Sequence, residues 1–251
     1  MLIAGFNKTT LLDYPGCVAA TVFVGGCNFR CPFCHNGGLV LAPLSQKLYS
    51  ETEILGLLEK RKSILKGVCI TGGEPTLHAD LPEFILKIKN LGYQVKLDTN
   101  GYAPEVLKGL LDDKLLDYVA MDIKNCPDKY AEIVGIDHFQ IERIEQSLSI
   151  LKKSGIAYEF RTTVIKEFHT KEDLLKIVHW IKGCPCYYLQ QYQDNENVLG
   201  QIAYKNAGEE TSGFSDVGHF HGYTGEEMEQ MARALRQVSG MCGEVSLRGI
   251  I

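Results

Sequence analysis

Cys27, Cys31 and Cys34 stand in one short run, Gly25-Gly26-Cys27-Asn28-Phe29-Arg30-Cys31-Pro32-Phe33-Cys34-His35-Asn36. Thiolates are soft, charged ligands, and three of them in one loop suit iron. An iron–sulfur cubane takes four ligands, so three protein thiolates leave one iron open to a substrate. With nine cysteines in 251 residues, a chance match to this spacing has a probability of roughly 1 percent. Gly25 and Gly26 let the backbone approach a bulky group. His35 follows the last thiol, where it could donate to a sulfide, line a bound ligand or be a plain loop histidine. A structural zinc ion is the competing use of the thiols, with His35 as fourth ligand. Against it, the adjacent Cys34 and His35 do not easily converge on one tetrahedral metal.

Further chemistry falls at the ends of apolar runs. Thr71-Gly72-Gly73-Glu74-Pro75 exposes backbone donors and acceptors, and Glu74 can steady an ammonium or a neighbouring loop. Asp98-Thr99-Asn100-Gly101 and Met121-Asp122-Ile123-Lys124 deliver two carboxylates and a lysine. Together these could hold the ammonium, hydroxyls and carboxylate of a zwitterion. The plain reading is a turn at Asn100-Gly101 and an ordinary surface Lys124. Cys184, Cys186 and Cys242 are scattered thiols, read as buried or inert in preference to a second metal site.

The elements that must position these residues alternate. Apolar β-type runs occupy 17–24, 67–71, 94–98, 118–122, 158–164 and 187–191, each short and bounded by glycine or charged residues. Helical periodicity fills 51–62, 81–91, 104–111, 141–154 and 171–181. The six strands recur about every 29 residues, close to the ~31 of an eightfold barrel. An α/β fold follows, an incomplete (β/α)6 barrel of parallel strands with right-handed crossovers; a flat doubly wound sheet is the alternative. Residues 1–251 are expected to form a single domain with its core over about 17–192, after a short leader. Within 193–251, a polar, Gly-rich loop is expected over 195–222 and a helix over 224–238. Thr224 and Glu227 form a capping box at its start. A short edge strand near 244–247 follows.

The Cys-x3-Cys-x2-Cys loop after the first strand and Gly-Gly-Glu-Pro after the second resemble the radical S-adenosylmethionine (SAM) superfamily. Cys34-His35-Asn36, Asp98-Thr99-Asn100-Gly101 and Asp122-Ile123-Lys124 are similar to the activating enzymes of glycyl radical proteins, including pyruvate formate-lyase activating enzyme. Thr10-Leu11-Leu12-Asp13-Tyr14-Pro15-Gly16, with Val119-Ala120-Met121-Asp122-Ile123-Lys124, resembles the activating proteins of anaerobic ribonucleoside-triphosphate reductase. The likeness runs from about Thr10 through Tyr192. It implies a [4Fe–4S] cluster on Cys27, Cys31 and Cys34, with S-adenosylmethionine on the open iron. Gly72, Gly73 and Glu74 would face the methionyl amine. His35, Asp98, Asp122, Lys124 and Arg161 would lie on the cofactor's side, and a monovalent cation is implied near Asp98, Thr99 and Asp122. The activity implied is reductive cleavage to methionine and a 5′-deoxyadenosyl radical, which takes a hydrogen from a glycine of a partner. The partners implied are a glycyl radical protein, presenting a peptide loop, and a low-potential donor such as flavodoxin or ferredoxin.

The chain also departs from these patterns. Tyr192-Gln193 stands where formate-lyase activators carry a Tyr-His pair, so His219 or His221 would have to supply any histidine contact. No cysteine-rich insert separates Cys34 from Gly72, so extra ferredoxin-type clusters are not expected. The competing activity is a radical enzyme acting on another glycyl radical protein of the formate-lyase type, or one modifying a peptide, a nucleoside or another small molecule.

Composition sets the outer bounds. The balance of 26 basic and 31 acidic residues gives net charge −5, which offers no general attraction to nucleic acid or anionic membrane. No apolar run approaches a membrane span, and the first residues do not resemble a signal peptide. An odd number of cysteines without scaffold spacing suits thiols in a reducing compartment, and a cytoplasmic protein is expected.

Overall fold

The computed structural model describes residues 1–207, 219–238 and 242–250. In chain order the elements begin with strands β1 (Ile3–Thr10) and β2 (Ala19–Val24), then helices α1 (Gly37–Leu41) and α2 (Glu51–Lys60). Strand β3 (Gly67–Gly72), helix α3 (Leu81–Asn90), strand β4 (Gln94–Thr99), helix α4 (Pro104–Asp112) and strand β5 (Tyr118–Asp122) follow. The second half holds α5 (Pro127–Val134), α6 (Ile141–Lys153), β6 (Ala157–Val164), α7 (Lys171–Trp180) and β7 (Cys184–Gln191). Helices α8 (Leu199–Ala207) and α9 (Gly225–Arg236) and strand β8 (Cys242–Arg248) end the chain.

Two compact units make up the molecule. The first comprises Met1–Asn28, Gly38–Ala120 and Glu142–Ala157. Its strands β2, β3 and β4 pair in parallel, with Ala19 opposite Gly67 and Val68 opposite Val95. Their near-continuous apolar runs are what a parallel sheet covered on both faces requires: Val22, Val24, Val68, Ile70, Val95 and Leu97 are all fully buried. Helices α2 and α3 contribute Ile54, Leu58, Phe84, Ile85 and Ile88 to the same buried set. Helix α2 starts where Ser50 and Glu53 exchange hydrogen bonds in a capping box, which satisfies amides the helix cannot.

The residues taken as a leader form β1, antiparallel to β2. Its signal is weak because Asn7, Lys8 and Thr9 face solvent and only Ile3, Ala4 and Thr10 are buried. After it the Thr10 hydroxyl accepts from the amides of Leu12 and Asp13 at 3.1 and 3.2 Å. That turn buries Tyr14 and leaves Leu11 and Leu12 exposed.

The second unit comprises Phe29–Gly37, Met121–Ile141 and Tyr158–Ile251. Strands β6, β7 and β8 pair in parallel, with Phe160 opposite Tyr187 and Tyr187 opposite Val245. The expected edge strand is therefore β8. Thr224 and Glu227 form the expected capping box of α9, which turns Met228, Ala232 and Leu235 inward. Helices α1, α5 and α8 lie outside the helical stretches read from the sequence. Helix α5 starts at Pro127 and stops at Gly135, whose φ of +60° is the left-handed C-terminal cap that glycine tolerates. Helix α8 occupies part of the expected 195–222 loop, anchored by buried Val198 and Leu199. Residues 208–218 of that expected loop lie outside the described residues.

Candidate active site

In the first unit, chemistry gathers at the C-terminal ends of β2, β3 and β4. Parallel register sets Val24 opposite Gly72, and the two following turns are laced together. The Gly73 amide donates to Val24 O and the Glu74 amide to Gly26 O, both at 2.8 Å. A Cβ on Gly73 would lie 1.8 Å from Gly26 O, and one on Gly72 would lie 2.5 Å from Val24 N at a φ of +113°. Only glycine permits that approach and that dihedral. The pair thus fixes the backbone leading into Cys27.

Glu74 is 1 % exposed, and both carboxylate oxygens are spoken for. Oε1 accepts from Thr76 N at 3.1 Å, Thr76 Oγ1 at 2.6 Å and Thr99 Oγ1 at 2.8 Å; Oε2 accepts from Asn100 N at 2.7 Å. Of the two uses open to it, these bonds serve the second: Glu74 steadies the loop after β4. Burial pushes its carboxyl above the ordinary value, against the pull of the same four donors.

Two residues that sequence reasoning missed complete this end. Asn100 Nδ2 donates to Asn28 Oδ1 at 2.7 Å and reaches Cys27 Sγ at 4.0 Å. Lys96 is 1 % exposed and pairs with Asp98, its Nζ lying 3.7 Å from Cys69 Sγ. The signal was available: residues two apart on a strand share a face. A lysine inside an apolar run needs a buried anion, and Asp98 stood two places on.

In the second unit, Cys31 and Cys34 close a turn in which the Cys34 amide donates to Cys31 O at 3.1 Å. Backbone bonds fasten this loop from two sides. Arg30 N donates to Val134 O at 2.7 Å; Leu199 N and Gly200 N donate to Cys34 O and Pro32 O, each at 2.8 Å. His35 donates from Nε2 to Gln193 O at 2.7 Å and stacks on Tyr192 at 5.1 Å. The bond puts the proton on Nε2 and leaves Nδ1 as the acceptor of the ring. His219 pairs with Asp194 at 2.8 Å and His221 with Glu167 at 2.6 Å, both rings largely exposed.

Asp122, at the end of β5, is gripped by two cations. Arg161 Nε donates to Oδ1 at 2.9 Å, with a second guanidinium nitrogen 2.8 Å away; Lys124 Nζ donates to Oδ2 at 3.1 Å. Burial alone would raise this carboxyl, but the Arg161 and Lys124 charges overcome it and hold it down at about 2. Lys124 is pushed above the ordinary lysine value: burial works against its charge, and Asp122, Cys31 and Cys34 outweigh burial. Burial in turn raises the Cys34 thiol, opposed by Lys124 and by the Asn36 backbone. The backbone of Lys124 is itself anchored. His169, fully buried, donates from Nε2 to Lys124 O at 2.8 Å and accepts at Nδ1 from Ile165 N at 3.3 Å. Burial keeps its pKa low, so the ring is neutral and its tautomer is set by those two bonds.

A family model described as the Radical SAM superfamily matches residues 21–181, from within β2 to just past α7. The chain belongs to that superfamily. This radical SAM protein is 34 % identical over 203 residues to a protein of Methanocaldococcus jannaschii provisionally named a glycyl-radical enzyme activating enzyme. The match covers 78 % of this chain and 81 % of the relative. A second protein of the same organism, under the same provisional name, is 41 % identical over 207 residues, covering 80 % of this chain and 69 % of that one. Among solved structures, SuiB of Streptococcus suis gives a TM-score of 0.65 at 14 % identity, over 91 % of this chain and 48 % of SuiB. This chain thus spans about half the length of SuiB. A further structure of SuiB, bound to its precursor peptide SuiA, gives 0.63. These likenesses show the fold to be the partial α/β barrel of the superfamily, as the strand spacing predicted.

Membership implies a [4Fe–4S] cluster and S-adenosylmethionine, and the residues fit both. None of the nine cysteines is in a disulfide, so all three thiols of the loop are available as ligands. At Cys34 the Lys124 charge pulls toward the thiolate, against the burial that raises the thiol. The radical SAM enzyme therefore carries its charge in two settings: a buried carboxylate among neutral donors after β3, and a carboxylate between two cations after β5. Among the described residues no helix is long and apolar enough to cross a membrane.

Proposed function

We propose that this radical SAM enzyme generates a glycyl radical on a partner protein, anaerobic ribonucleoside-triphosphate reductase. The observation that carries the reading is the relationship to the Methanocaldococcus glycyl-radical activators, sustained over four-fifths of the first relative's length. The sequence likeness of Thr10–Gly16 and Val119–Lys124 to the reductase activators narrows the partner. Cys27, Cys31 and Cys34 hold the cluster in this reading. When bound, the cluster and S-adenosylmethionine supply one-electron cleavage of the sulfonium and a carbon radical able to remove a glycine hydrogen.

The chain's own residues position and insulate. Asp122 stays ionised throughout the physiological range because Arg161 and Lys124 face it, so it offers a fixed anion to a hydroxyl or ammonium. Lys124 and Arg161 offer the matching cations to a carboxylate. Asp98 presents its carboxylate with Lys96 already against it. A monovalent cation beside Asp98, Thr99 and Asp122 belongs to the same proposal. Gly72 and Gly73 offer backbone groups to the methionyl amine, with Glu74 holding their turn. His35, stacked on Tyr192, forms a wall of the cofactor site. The electron comes from a low-potential flavodoxin or ferredoxin, the substrate is a peptide loop of the partner, and residues 1–251 work as one domain in the cytoplasm.

The test is electron paramagnetic resonance of the anaerobic enzyme mixed with the reductase, S-adenosylmethionine and a reductant. A glycyl signal on the reductase is expected. Cleavage of S-adenosylmethionine without a glycyl signal on any glycyl radical protein would turn the assignment toward a peptide or small-molecule substrate. Cys31→Ala should abolish both the cluster's visible absorption and cofactor cleavage; full turnover by that variant would overturn the cluster assignment.

A further inference from the structure

Strands β7 and β8 both begin at a cysteine, and parallel register sets Cys184 directly opposite Cys242. The Cys184 thiol donates to Cys242 Sγ at a sulfur–sulfur separation of 2.9 Å. Neighbouring strands lie about 4.8 Å apart, within the ~4.4–6.8 Å between Cα atoms that a disulfide spans. The two thiols differ in access: Cys184 is 1 % exposed, whereas Cys242 is only partly buried.

We propose that Cys184 and Cys242 form a dithiol site that undergoes thiol–disulfide exchange with small soluble disulfides, with Cys242 as attacking thiol and Cys184 as resolving thiol. The Cys242 thiolate attacks one sulfur of the small disulfide, forming a mixed disulfide and expelling one small thiolate. The Cys184 thiolate then attacks Cys242 Sγ, forming the Cys184–Cys242 bond and expelling the second. The two protein thiols give up two protons and two electrons, and the small disulfide is reduced to two thiols. The product is a covalent tie between β7 and β8.

The same strand supplies an internal control. Cys186 is also partly buried, but Glu244 stands opposite it, so it meets no partner thiol across the strand pair. Its thiol is raised by burial, with the Tyr188 hydroxyl pulling the other way. Cys186 can at most retain a mixed adduct.

Anaerobic, iron-loaded protein treated with oxidised glutathione, then acid-quenched, alkylated and peptide-mapped, reads the outcome. A linked Cys184–Cys242 peptide is expected, lighter by two hydrogens and opened by dithiothreitol, with alkylation of both thiols lost together. Cys184→Ser should leave glutathione trapped on Cys242, and Cys242→Ser should leave Cys184 in its thiol form. Full alkylation of both thiols in oxidised wild-type protein would overturn the proposal, as would a linkage that uses Cys186 in place of either thiol. The wild-type map alone decides, should a variant fail to fold.

Discussion

Glu74 and Asp122 are both acids at or just past the C-terminal end of a strand, yet they are set up in opposite ways. Glu74 is surrounded by neutral donors, two backbone amides and two threonine hydroxyls, and burial raises its carboxyl. Asp122 is faced by a guanidinium and an ammonium, which outweigh burial and hold it at about 2. The first arrangement saturates the acid's oxygens and spends it on backbone geometry. The second leaves a charged cluster at the strand end, with two cations and an anion able to take up complementary groups of a zwitterion. Equal exposure to sequence reasoning hid this division of labour, because both residues are simply carboxylates after apolar runs.

Truncating Glu74 should break the comparison most violently. Glu74→Ala leaves the amides of Thr76 and Asn100 and two hydroxyls without their acceptor inside the fold, and each orphaned buried group costs on the order of 1–3 kcal/mol. A loss of at least about 3 kcal/mol is expected in a denaturant titration of cluster-free protein. A loss below about 1 kcal/mol, the range of a surface contact, would show that Glu74 is not the knot its hydrogen bonds describe.

Removing the charge from Asp122 comes next in size. Asp122→Asn keeps the shape but removes the carboxylate charge that Arg161 and Lys124 share. The fall of the carboxyl from 3.8 to about 2 corresponds to about 2 kcal/mol once its partial exposure is allowed for. The same titration should show that loss, with cofactor cleavage falling alongside it. An Asp122→Asn protein that is as stable as wild type at neutral pH would mean the two cations find other anions.

The alternation of apolar strands and amphipathic helices was legible because parallel strands buried on both faces must be continuously hydrophobic, as Val68 to Ile70 and Val119 to Met121 are. The three cysteines were legible because thiols at that spacing have few other uses. Strand β1 was not, since half of it faces water and its partner lies across an intervening turn. His169 was hidden for another reason. It sits in a segment that reads as ordinary loop, and its role depends on a neighbour fixed only by folding, the carbonyl of Lys124. The Cys184–Cys242 pair shows the same limit, because strand register, not spacing along the chain, brings those thiols together.

The smallest effect, and the sharpest on the contrast, is the sign of the pH dependence. Asp122 has a folded-state pKa below its ordinary value of 3.8, so the folded protein binds its proton less readily than the unfolded chain. Its contribution is fully present above that value and drains away as pH falls through about 2. Glu74 is raised above its ordinary 4.5, so the folded protein keeps this proton longer than the unfolded chain. Its contribution is greatest below 4.5 and declines as pH rises past it. The stability difference between wild type and Asp122→Asn should therefore grow with pH from about 2 to about 4. The difference between wild type and Glu74→Gln should shrink with pH above that range. Denaturant titrations of the three cluster-free proteins at stepped pH measure both slopes. Slopes of the same sign would mean that the two acids share one electrostatic setting, and the distinction between a structural carboxyl and a charged one would fall.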